Sequence, residues 1–301
     1  MIKKHLGNSD LDIHFVSGGT QANMIIISSI LRPYESVISA ESGHINIHEA
    51  GSIEAVGHKI NSLPCSDGKL RVEDVETILS QHEEAPHVVK PKMVYISNST
   101  ELGTIYRLDE LTKLSNFCKE NGLYLFMDGA RLGSALCSKN NDISLENLAK
   151  LLDIFYIGGT KNGALLGEAI VISNDELKKD FSYNLKQKGA LMSKGRVLGI
   201  QFATLFEDNL FFDLATYANL MAQKIAKTIQ KCGFDFLCEP QTNQIFPILP
   251  NILIEKLETK YSFYVWKKIN KDFSAIRIVT SWATKESVVD KFIDFIESEK
   301  L

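Results

Sequence analysis

Asp128 in Tyr124-Leu-Phe-Met-Asp-Gly-Ala-Arg131 and Lys161 in Ile157-Gly-Gly-Thr-Lys-Asn-Gly163 each follow a short apolar run. A lysine amine can hold an aldehyde covalently, and a carboxylate can keep a pyridine nitrogen protonated so that the ring accepts electrons. Pyridoxal 5′-phosphate (PLP) needs this pair of groups. The residues therefore point to PLP as a cofactor, provided the fold brings them together.

The flanking segments say how it could. Leu123 to Met127 and Ile154 to Ile157 are bounded β-branched or aromatic stretches, which is how strands buried on both faces of a parallel sheet read. Ligands of an open α/β sheet sit outside the carboxyl ends of its strands, where Asp128 and Lys161 would be delivered. A phosphate site is also available. His14-Phe15-Val16 reads as a strand end, followed by Ser17, Gly18, Gly19 and Thr20 and then an apolar helix from Gln21. Glycines let the backbone approach an anion, Thr20 adds a hydroxyl, and helix-start N–H groups favour negative charge. Alone, this turn is equally well a ligand-free strand-to-helix connection; Asp128 and Lys161 give it weight. The bland alternatives are a helix N-cap for Asp128 and a structural lysine for Lys161.

Strands and helices alternate through about residue 172. Lys92 to Ser97 reads as a strand and Leu108 to Asn121 as a helix, with Leu108, Leu111, Leu114 and Cys118 on one stripe and Gly122 closing it. Leu123 to Met127 completes a βαβ unit. Residues 174–190 and 196–231 read as helical, up to a pause at Cys232-Gly233. Strand-like Ile245 to Leu249, helix-like Ile252 to Leu257 and strand-like Ile276 to Thr280 follow. Val288, Val289, Phe292, Ile293 and Ile296 then recur at helical spacing. The expected division is a large domain over 1–206 and a small one over 207–301.

At 301 residues, 45% hydrophobic and 23% charged, the chain can build two domains with a substantial core. A net charge of −4 offers no basic surface for nucleic acid. No apolar stretch approaches a membrane span, and Met1-Ile-Lys-Lys-His5 lacks the apolar region of a signal peptide. Five cysteines, odd in number and without Cys-x-x-Cys, suit a reducing cytoplasm, so a cytoplasmic location is expected.

Ser17-Gly-Gly-Thr-Gln-Ala-Asn23, Glu41-Ser-Gly-His-Ile-Asn46, Asp128-Gly-Ala-Arg131, Gly159-Thr-Lys-Asn162 and Ile276-Arg-Ile-Val-Thr-Ser-Trp282 follow the order of motifs in one family. Across nearly its whole length the chain resembles the low-specificity L-threonine aldolases, of the β-eliminating-lyase branch of PLP enzymes. The resemblance implies the aspartate-aminotransferase-like PLP fold (type I): an α/β large domain with a doubly wound, mostly parallel sheet, and a smaller C-terminal α+β domain. It also implies retro-aldol cleavage of L-threonine, L-allo-threonine and other β-hydroxy-α-amino acids to glycine and an aldehyde. The alternatives are another fold type I enzyme, such as a β-eliminating lyase or an aminotransferase, or a PLP-binding protein with little turnover.

The resemblance assigns roles by position. Lys161 would hold the cofactor, with Gly18, Gly19 and Thr20 on its phosphate and Asp128 on its pyridine nitrogen. His44 would stack on the ring and help move the proton of the substrate's β-hydroxyl. Arg131 and Arg277 would bind the substrate carboxylate, a task suited to the planar guanidinium; the alternative for each is a solvated ion pair. His44 and His48 lie four apart, but no third ligand has motif spacing, so no metal is expected. Lys194 and Arg196 fall near the family's phosphate-binding arginine from a neighbouring subunit, out of register, so a homodimer or homotetramer is expected. Nineteen residues precede Thr20, fewer than the family carries there. The family segment that contributes a serine to the substrate is then missing, and weak cleavage is the expectation.

Overall fold

The computed structural model describes residues 1–299. Its main sheet has seven strands: β1 (Asp12–Val16), β2 (Glu35–Ala40), β3 (Ile60–Leu63), β4 (Lys90–Ser97), β5 (Tyr124–Asp128), β6 (Ile154–Gly158) and β7 (Glu168–Ile172). They lie in the order β1-β7-β6-β5-β4-β2-β3. β3, β2, β4, β5 and β6 run parallel, whereas β7 is antiparallel to both β6 and β1. The carboxyl ends of β1, β2, β4, β5 and β6 therefore meet on one edge, joined there by the first residue of β7.

The central strands are buried on both faces, as continuous apolar runs require. Successive residues alternate between two cores. Val94, Ile96, Leu125, Met127, Phe155 and Ile157 face one, while Met93, Tyr95, Phe126, Ile154 and Tyr156 face the other. The helix Leu108–Glu120 covers the first of these faces with Leu111, Leu114 and Cys118. Each buried leucine contributes roughly 1.5–3 kcal/mol. Glu110 accepts the Arg107 N–H at 2.8 Å at its start, and Gly122 follows its end with φ of +62°.

Two long helical stretches expected from the sequence are broken. Of 174–190, only Phe181–Gln187 is α-helical, after a 3-10 turn at Asp175–Leu177; Asp180 is left-handed at φ +59° and interrupts the ladder. The stretch 196–231 divides into Arg196–Leu205 and Leu210–Lys231, because Asp208 and Asn209 both have positive φ. The strand expected over 245–249 is likewise split into β8 (Gln244–Ile245) and β9 (Ile248–Pro250). Pro247 lies between them and has no N–H to give a ladder.

β10 (Tyr264–Lys268) and β11 (Phe273–Val279) complete a small antiparallel sheet in which β11 pairs with β8, β9 and β10. Helices Asn251–Glu258 and Glu286–Ser298 pack on it around Leu253, Leu257, Ile276, Phe292 and Ile296. The helix Leu210–Lys231 links the two parts. Phe211 belongs to the main-sheet core and Met221 to Ile229 to the small one, so the change of core falls inside this helix. Among the described residues no helix is long and apolar enough to cross a membrane.

Candidate active site

The glycine turn follows β1. Gly18 is extended and caps the helix Gly19–Ile30, and both the N–H and the Oγ of Ser17 donate to Gln21 Oε1, at 3.1 and 2.8 Å. First-turn N–H groups of a helix have no intrahelical partner, so they remain for a ligand. A Cβ on Gly19 would stand 3.0 Å from the Tyr156 hydroxyl, whereas one on Gly18 would meet open space. The turn is thus a shallow cradle with Tyr156 as its floor.

Asp128 ends β5, opposite Ser97 of β4, and is buried. Its Oδ1 accepts the Ala130 N–H at 2.9 Å; its Oδ2 accepts from the Tyr95 hydroxyl at 2.7 Å and from Asn23 Nδ2 at 3.2 Å. Asp128 is not a helix cap, since the next helix, Leu132–Leu136, begins after Arg131. No side chain fits at Gly129, where a Cβ would lie 1.8 Å from the Tyr156 carbonyl oxygen. Burial and the neighbouring Asp128 raise the Tyr95 and Tyr156 phenols well above their usual range, so both stay protonated donors.

Asn23 also donates to Glu49 Oε1 at 2.7 Å, and Ser52 donates to Glu49 Oε2 at 2.7 Å. Glu49 in turn accepts from His44 Nδ1 at 2.8 Å, which fixes the ring and leaves Nε2 free. His44 opens a single helical turn, His44–Ile47, rather than lying with His48 along one longer helix face. Among the described residues no group of three His, Cys, Asp or Glu side chains could hold a metal.

Lys161 stands in the loop between β6 and β7, which is closed where the Gly159 and Thr160 N–H groups donate to the Gly167 carbonyl, both at 3.1 Å. Solvent reaches its side chain from inside a cavity walled by protein. Burial and the Arg131 charge lower its amine to about 8, against the opposing pull of Asp128 and Glu168. Glu168, the first residue of β7, accepts the Gly159 N–H at 3.0 Å and is raised to about 7 by burial. Arg131 is brought down to about 10 by burial and by Arg277. Arg277 on β11 donates to Gln244 Oε1 from Nε at 3.1 Å and from Nη2 at 2.5 Å, and its guanidinium lies 5.6 Å from the Trp266 ring centre.

Gly18, Gly19, Thr20, His44, Asp128, Arg131, Lys161 and Arg277 all line one cavity of about 840 Å³. Lys194 and Arg196 do not; both are exposed, Lys194 just before the helix Arg196–Leu205 and Arg196 as its first residue. Sequence reasoning assigned no role to Glu49, Tyr95, Glu101, Tyr156, Glu168, Gln244 or Trp266. The two tyrosines read as core aromatics within apolar strands, and only the fold shows that their hydroxyls point at Asp128.

The profile of the β-eliminating lyase family matches residues 6–250. The chain is 34% identical over 291 residues to a low specificity L-threonine aldolase of a Pseudomonas species, covering 95% of this chain and 82% of that protein. The chain belongs to the β-eliminating lyase family. Its fold superposes on a Leishmania major threonine aldolase with a TM-score of 0.97 and 47% identity, over all of this chain and 87% of that one. A Thermus thermophilus aspartate aminotransferase shares the fold alone, with a TM-score of 0.71 at 14% identity. The architecture is therefore that of the aspartate-aminotransferase-like, fold type I enzymes, and PLP is the cofactor this family implies.

The β-eliminating lyase site fits that group. The turn at Gly19 leaves its backbone open where a side chain would be crowded against Tyr156, Asp128 is held among donors, and Lys161 is an amine made less basic by burial. At pH 7 an amine with a pKa of about 8 is roughly one-tenth neutral; for an ordinary lysine the fraction is below about one in a thousand. Because burial disfavours the ammonium, the reactive form accumulates as pH rises. PLP added to apoprotein should therefore form a borohydride-reducible adduct about tenfold faster at pH 9 than at pH 7, with the rate levelling off above that. Lys161→Ala should lose this fast-forming adduct, and a rate still climbing tenfold per pH unit above 9 would show an ordinary amine.

Proposed function

We propose that this protein is a PLP-dependent carbon–carbon lyase that cleaves L-threonine, L-allo-threonine and related β-hydroxy-α-amino acids to glycine and an aldehyde. The observation that carries the reading is the meeting of Lys161, Asp128, Arg131 and Arg277 in one cavity, in a chain resembling threonine aldolases over nearly its whole length. When bound, the cofactor supplies an electron sink conjugated to the substrate's α-carbon. Lys161 would hold it covalently, the turn of Gly18, Gly19 and Thr20 would take its phosphate, and Asp128 would accept the pyridine N–H. His44, fixed by Glu49, would lie along the ring face.

The remaining work is orientation and proton transfer. Arg131 and Arg277 bind the substrate carboxylate, and Gln244 and Trp266 hold the Arg277 fork in place. Fixing the carboxylate sets the orientation of the substrate at Cα, and the Cα–Cβ bond is the one broken when the β-hydroxyl gives up its proton. Lys161, with a pKa of about 8, is suited to return a proton to Cα before glycine leaves. Holoenzyme given L-threonine should yield glycine and acetaldehyde in equal amounts. 2-Oxobutanoate with ammonia would instead mark an eliminating lyase, and a keto acid with amine transferred to the cofactor an aminotransferase.

We further propose that a second copy covers the face formed by Leu165, Leu191, Met192, Val197 and Ile200, whose side chains are exposed beside the Lys161 loop. Leu165 N–H donates to Gln201 Oε1 at 2.7 Å, so this loop and the helix Arg196–Leu205 form one surface, with Lys194 and Arg196 on it. Sedimentation should give a dimer or tetramer, and Ile200→Glu should shift it towards monomer. A fully active wild-type monomer would contradict this.

A further inference from the structure

Glu101 is a half-buried carboxylate in the wall of the cavity, within the field of Arg131, Arg277 and Lys161 but in direct contact with no cation among the described residues. Its Oε1 accepts from Ser97 Oγ at 2.7 Å and from the His44 backbone N–H at 3.0 Å. No other residue donates to Oε2, and Glu101 has no ion-pair partner among the described residues. A carboxylate oxygen left open towards a cavity is available to a ligand, and ionisable groups so placed concentrate where they are used.

Resting on the aldolase reading, we infer that Glu101 Oε2 is the base that takes the proton from the substrate's β-hydroxyl. The other acceptors of the site differ from Glu101 in place. Asp128 receives three donors, and Glu168 begins β7 beside the cofactor-holding loop, bonded to the Gly159 N–H, rather than beside His44. His44 is tied through Nδ1 to Glu49, and its free Nε2 is the rival acceptor that the Glu101 variant below separates from Glu101. Glu101 stands next to His44 in the same wall as Arg131 and Arg277, which hold the substrate's carboxylate end. Burial and the Asp128 charge raise its carboxyl above the ordinary range, so it is a stronger base than an exposed glutamate.

The step balances within the substrate and this chain. The β O–H bond breaks with its proton going to Glu101, the freed pair forms the aldehyde C=O, and the Cα–Cβ pair stays on Cα. A proton from Lys161 then completes glycine, and Glu101 releases its own to water. This moves the proton-accepting role from His44, where the family resemblance places it, to Glu101.

Glycine has no β-hydroxyl, so exchange of its α-hydrogen with solvent needs Lys161 but not Glu101. In Glu101→Gln holoenzyme, whose amide oxygen can still accept from Ser97 and His44, kcat for threonine cleavage should fall at least about a hundredfold with KM little changed. Glycine α-hydrogen exchange should fall less than about threefold, and the acid limb of the kcat profile should vanish. Near-normal cleavage by the variant, or an equal loss of cleavage and exchange, would overturn the assignment to Glu101. Wild-type protein that exchanges glycine yet makes no acetaldehyde would instead overturn the aldolase reading from which it starts.

Discussion

The site depends on how one buried carboxylate is held. Removing Asp128 from water is costly unless its oxygens are met by donors, and Tyr95, Asn23 and the Ala130 N–H supply them. Each donor comes from a different place: the neighbouring strand β4, the helix after the glycine turn, and the turn after β5 itself. That turn must press against β6, which is why Gly129 has no room for a side chain. The glycine turn, Asp128 and the lysine loop are thereby set in register with one another by the sheet.

Asn23 extends the same constraint sideways. One amide group donates to both Asp128 and Glu49, and Glu49 fixes His44, so the groups proposed to lie at the cofactor's nitrogen and along its face share one hydrogen-bonded chain. Beyond it, the charged groups face one another around the cavity. Lys161 and Arg131 are made weaker acceptors of a proton than usual, and Glu101 and Glu168 stronger ones. An amino-acid substrate, carrying one group of each sign, can be taken in without adding to the net charge of the site.

Much of this was legible in the sequence, for a physical reason. Asp128 and Lys161 follow apolar strands whose burial on both faces leaves continuous hydrophobic runs, so the polar residues after them are placed at the sheet edge by pattern alone. Arg277 stood out because it interrupts such a run on β11. β2 was less visible: it is buried throughout, yet its Glu35, Ser36 and Ser39 find polar partners inside, with Asn61 donating to Ser36. β10, Tyr-Val-Trp-Lys-Lys, is an exposed edge strand, and nothing in its pattern marks Trp266 as the plane against Arg277. Glu49 and Glu101 look like ordinary surface glutamates until the fold buries the first and half-buries the second beside His44.

The central claim is that Asp128 keeps the cofactor's ring nitrogen protonated, and nitrogen-15 NMR of protein loaded with ring-labelled PLP reads that proton directly. The wild-type protein should show the resonance of a protonated pyridine nitrogen. Asp128→Asn, with its fold verified by circular dichroism, should show the unprotonated one, because an amide cannot stabilise the ring's positive charge. An unprotonated nitrogen in the wild type, or the same protonated signal in both proteins, would contradict the account.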